Sequence, residues 1–135
     1  MAKRQKRTPL TSYMMFQGVK GLVLFGVGAT VLIITAWFLW TEGFSGLVFM
    51  TVVVAFGAVM VWTVGALIVA LPIWAVLHAL GFRGWPVAVV GGASVVGLIW
   101  SVTGWAEATA AGAVIGAIAG WGLWWMAYKR GEAAQ

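Results

Sequence analysis

From Gly18 to Tyr128 the only charged side chains are Lys20, Glu42, Arg83 and Glu107, and they divide the chain into long apolar runs. This spacing restricts the fold more than any motif does. A helix rising 1.5 Å per residue needs about 20 apolar residues to cross a hydrocarbon layer of ~30 Å, and the runs have that length. With 63% hydrophobic and 8% charged residues, the composition lies far from the ~25% charged residues of a soluble domain, so the solvent for most of this surface is lipid. The predicted class is an all-α integral membrane protein, a four-transmembrane-helix bundle of antiparallel up-down neighbours. Its spans are expected at about 18–41, 46–80, 85–102 and 106–128, between a basic lead (1–17) and a short tail (129–135).

Orientation follows from the cations. All 8 Lys and Arg residues (Lys3, Arg4, Lys6, Arg7, Lys20, Arg83, Lys129, Arg130) fall on the side holding the termini and the middle loop, Lys20 near the inner end of the first span, and the other two loops hold none. Positive charge is retained on the cytoplasmic side, which predicts a multi-pass protein with both termini cytoplasmic. Lys3, Arg4, Lys6 and Arg7 are expected to meet anionic lipid headgroups rather than nucleic acid. The basic lead resembles a signal peptide, but the run from Leu22 to Trp40 is too long for a signal core and no small-residue cleavage site follows it. The reading is an uncleaved first span. Most of the 10 tryptophans fall near predicted span ends, Trp37, Trp40, Trp100 and Trp105 at one boundary and Trp74, Trp85, Trp121, Trp124 and Trp125 at the other, where indole rings anchor helices. Tyr13 and Tyr128 join the inner set, and only Trp62 sits near mid-span.

Turn chemistry sets the boundaries. Glu42-Gly43-Phe44-Ser45-Gly46 reads as a tight helix-to-helix turn, with Gly43 in a left-handed position and Ser45 as the next N-cap. The run from Gly46 to Leu80 would reach roughly 52 Å as one straight helix, more than a bilayer core requires. Pro72 is therefore expected to kink it, sending residues 73–80 along the cytoplasmic interface. Gly81-Phe82-Arg83-Gly84 breaks the helix and Pro86 opens the next. A faint repeat is also visible, Gly28-Ala29-Thr30-Val31 against Gly92-Ala93-Ser94-Val95 and Trp40-Thr41-Glu42 against Trp105-Ala106-Glu107. A duplicated helix pair would be related by an axis along the membrane normal.

Candidate sites are few. Ala108, Gly112, Gly116 and Gly120 recur every fourth residue and form one small-residue face, which in lipid lets another backbone approach closely. That face serves either packing within the bundle, with Gly57, Gly65, Gly91, Gly92 and Gly97 as mates, or a seam for a partner or a second copy. His78, the only histidine, is expected in the interfacial segment after Pro72, as a surface group that with Arg83 offers a cytoplasmic contact. Glu42 and Glu107 lie near outer helix ends, either as solvated turn residues or as an acidic mouth attracting cations. Within the spans only hydroxyls remain (Thr30, Thr35, Thr51, Thr63, Ser94, Ser101, Thr109), each able to bond a carbonyl one turn back.

The chain has no cysteine, and no catalytic, metal or cofactor constellation stands out. In size it resembles small multidrug transporters and fluoride channels. The residues that carry those activities are missing, since the first span has no carboxylate before Glu42 and the chain has no Asn. The expected function is a non-catalytic membrane subunit or assembly factor that packs through glycine faces against a membrane protein or its own copies. A small homo-oligomeric channel or transporter is the alternative, and an exclusion or immunity protein of a mobile element a further one.

Overall fold

The structure, a computed structural model, describes residues 9–103 and 108–130. Everything regular among them is helical, and four helices are long and apolar enough to cross a membrane. The expected roles of Lys3, Arg4, Lys6, Arg7, Trp105 and Glu107 lie outside the described residues.

Helix α1 runs Ser12–Glu42, starting a turn and a half earlier than the apolar run suggested. Its cap is Thr11, whose side-chain oxygen accepts the Met14 N–H at 3.3 Å, a local signal the hydropathy pattern masks. Gly43 ends it at φ 71°, ψ −149°, a region that only glycine occupies without strain. Helix α2 (Leu47–Gly65) is not capped by Ser45 as expected. Gly46 takes the cap position with φ 73°, and no side chain bonds the first turn.

The second span continues from Leu47 to Ala79 without leaving helical geometry. Ahead of Pro72 it widens into a π turn, Ala66–Ala70, where the Leu71 N–H reaches back to the Ala66 carbonyl, and it resumes as α3 (Leu71–Ala79). The physical reason is proline itself. Pro72 cannot donate to the Ile68 carbonyl and its ring crowds that oxygen, and one extra residue in the preceding turn makes room. The segment after Pro72 is a helix with an inward face, on which Trp74 and His78 are buried. Its end is a Schellman motif, in which Phe82 N–H bonds Leu77 O at 2.9 Å and Gly81 N–H bonds His78 O at 3.1 Å, with Gly81 at φ 89°.

Helix α4 (Trp85–Val102) opens with Pro86 in its first turn, as expected, and α5 (Thr109–Trp124) passes into a second π segment, Trp125–Arg130. The helices form a row rather than a closed bundle. α4 lies along α5, α5 along α1 and α1 along α2, whereas α2 and α4 do not pack on each other. A twofold relation between the halves would pair α2 with α4 as it pairs α1 with α5, so this arrangement does not express the repeat. Large apolar side chains such as Leu32, Val48 and Val102, each more than 70% exposed, cover the outside, the surface of a protein whose solvent is hydrocarbon.

Candidate functional site

The small-residue face of α5 is filled by the chain's own α4. A Cβ built on Gly116 would land on the Gly92 carbonyl, one on Gly92 would land on that of Gly116, and one on Gly120 would land on that of Ala88. Gly112 is covered by the Trp100 ring, 2.8 Å from where its Cβ would stand, and Ala108 stands half-buried at the cap position. Of the two readings of that face, packing within the bundle describes Gly112, Gly116 and Gly120. Gly92 and Gly97 serve it as mates, but Gly57, Gly65 and Gly91 meet nothing within 4 Å. Sequence reasoning missed the other close approaches. Gly21 abuts the Gly122 carbonyl, Gly122 receives the Phe25 ring and Gly26 receives Trp62. These glycines lack a regular spacing, so only the fold reveals them.

The gap between α2/α3 and α4 is an apolar cleft of about 410 Å³, with α1 and α5 as its floor. Gly57 and Gly65 stand on one wall and Gly91 on the other, and Leu22, Ala119 and Leu123 lie beneath. Two of its polar side-chain groups, on Thr30 and Trp62, are bonded to each other. Trp62 Nε1–H donates to Thr30 Oγ1 at 2.9 Å, and Thr30 donates to the Gly26 carbonyl at 2.7 Å. The rest of the lining is almost wholly apolar side chains and glycine, which suits an occupant that is mainly apolar.

At the inner end three side chains meet. Trp74 Nε1–H donates to the Tyr128 hydroxyl at 3.1 Å, and His78 Nδ1 shares a hydrogen bond with the same oxygen at 2.7 Å. The imidazole stacks on the phenol at 5.8 Å and 13°, while Trp74 meets it edge-on. His78 is only 4% exposed, which corrects its reading as a surface group. Trp74 and Tyr128 likewise belong to the core rather than to an interfacial ring of anchors. The cause is periodicity, since Trp74 and His78 are four apart and share the inward face of α3. No sequence pattern pairs that face with a residue fifty positions on.

Arg83 is half-buried in the loop joining the cleft walls, and its carbonyl accepts Trp124 Nε1–H at 3.1 Å. Glu42 is exposed at the end of α1, and Glu107 lies outside the described residues, so the acidic mouth has no described geometry. Thr63 and Ser101 bond carbonyls one turn back, as expected, but the buried Thr35 hydroxyl has no partner. Away from the cleft lining, Phe25 meets Trp121 edge-on, Trp121 meets Trp125 at a tilt of 34°, and Lys129 Nζ lies 4.3 Å over the Trp125 ring.

Fold and site define a polytopic α-helical membrane protein with a lateral apolar cleft. No protein-family model, curated protein or solved structure matches the chain.

Proposed function

We propose that this protein is a non-catalytic subunit or assembly factor of a membrane complex, and that its α2/α3–α4 cleft receives a transmembrane helix of the partner protein. The observation that carries this reading is the pair of open glycine walls. Gly57, Gly65 and Gly91 present bare backbone to a space no side chain fills, and small residues in lipid mark surfaces where another helix approaches closely. Length favours a helix over a lipid chain. The α2/α3 wall lines the cleft from Val54 to Leu77, about 35 Å at 1.5 Å per residue, so it exceeds the ~30 Å of both leaflets together. An acyl chain anchored in one leaflet fills only part of that. On the orientation of the cations, the partner helix enters from the bilayer plane with both of this chain's termini cytoplasmic.

The channel alternative draws less support. Among the described residues the only hydroxyl lining the cleft, that of Thr30, is already spent on a carbonyl, and Glu42 stands outside it.

Site-specific photo-crosslinking in native membranes tests the proposal. A photoreactive side chain at position 57 or 65 should give one discrete protein adduct, absent when placed at the exposed Val52 or Phe56. The same adduct should disappear with Gly91→Leu, which fills the opposite wall. Lipid adducts alone, or identical adducts from both sets of positions, would overturn it.

A further inference from the structure

We infer that the Tyr128 hydroxyl is a clasp holding α3 against the body of the protein, and that α3 swings about the π turn Ala66–Ala70 when the clasp is released, widening the inner end of the cleft. This rests on the geometry of the cleft and not on what fills it.

Three observations carry it. The first is a joint. Within one turn the second span contains a π turn and, two residues after it ends, a proline without an N–H, so the ladder of hydrogen bonds is rearranged and then broken at one place. Sharp helix bends concentrate at such features. The second is the isolation of α3. Its backbone packs along the π turn before it, but no other helix lies along it, whereas α4 and α5 are in contact for most of their length. The third is the way α3 is nevertheless held. Trp74 and His78 are 6% and 4% exposed, and both converge on one oxygen of a residue in the Trp125–Arg130 segment. The Trp74 ring also occupies a notch at Gly18, 2.6 Å from where a Cβ would stand, with Ala127 on the other side. Side chains rather than backbone packing therefore fix α3.

The consequence for the cleft is direct, because Trp74 and Leu77 line its inner end. Arg83 is pinned to Trp124, so the residues between Ala79 and Arg83 set the slack available. A 20° bend moves the far end of a lever as long as α3, roughly 13 Å, by about 5 Å.

The absence of cysteine makes the test clean. Spin labels at Val76→Cys on α3 and Val90→Cys on α4, both exposed positions, report the opening in full-length protein in nanodiscs. Labels at Leu24→Cys and Val114→Cys report the α1–α5 body. Native protein should give a narrow distance for both pairs. Tyr128→Phe should broaden the α3–α4 distribution towards separations about 3–5 Å longer, as the lever estimate implies, and leave the body pair unchanged. Gly18→Ala, which evicts the Trp74 ring while keeping Tyr128, should do the same. An unchanged α3–α4 distribution in both variants would refute the clasp. Equal disturbance of the body pair would also refute it, because Tyr128 would then be an ordinary core residue. Crosslinking failure leaves this outcome untouched, so the two proposals fail separately.

Discussion

The second and fourth spans are both apolar enough to cross a membrane, yet half of the fourth span's apolar window is buried (50%) against 11% for the second. In water the more apolar segment would be expected inside. Here the second span, the more hydropathic of the two, lies mostly outside, because lipid offers its Val, Phe and Leu side chains an environment as good as the core. What buries α5 is shape. Gly112, Gly116 and Gly120 make a furrow that α4 fills with its backbone at Ala88 and Gly92 and with the Trp100 ring, whereas Gly57 and Gly65 on α2 have no neighbour.

Substituting the two glycine sets tests that contrast most severely. Gly116→Leu or Gly92→Leu drives side-chain atoms into a facing backbone that cannot rotate away, and should cost about 3 kcal/mol or more, the upper range for overpacking. Gly57→Leu enters open space and should change stability by less than about 0.5 kcal/mol. Unfolding free energies by steric trapping in bicelles measure both, and equal costs would mean that the furrow is not what separates the spans. Next in size, Tyr128→Phe leaves the buried Trp74 N–H without the acceptor seen here and should cost about 1–3 kcal/mol. Trp62→Phe, which removes the N–H donated to Thr30 on the less buried span, should cost only about 0.6 kcal/mol, near the average for hydrogen bonds between membrane helices. The same unfolding assay ranks these two. Smallest is Lys129→Gln, which removes a cation from the Trp125 face and should lose about 0.5 kcal/mol, with a shift in tryptophan emission as the local readout.

Span number and the breaks between spans were legible because they depend on local chemistry. A run long enough to cross lipid, Gly43 at a positive φ and Pro86 in a first turn all act within a few residues of themselves. The small-residue face on α5 was legible as a packing surface for the same reason. Its mates were legible only in part: Gly92 and Gly97 were among those expected, but nothing local separates them from Gly57, Gly65 and Gly91, which stay open. Ser45 was misread as a cap because a polar residue beside a glycine carries the usual signal, while the geometry of the turn favoured Gly46 in the left-handed region. His78 was misread for a related cause. Its position after Pro72 suggested an interface, but the π turn keeps the helix running and turns its side chain towards Tyr128.

The sequence by itself determined that this chain belongs in a membrane, with four spans, because transfer of apolar residues and the dihedral preferences of glycine and proline are local and nearly independent of context. Only the tertiary structure decided which glycines are filled and which face an open cleft, and that a tyrosine near the chain's end bonds two side chains of α3. Those outcomes depend on which helices lie next to each other. Hydropathy does not specify adjacency when core and solvent are equally apolar, so shape fit and a few buried hydrogen bonds select it.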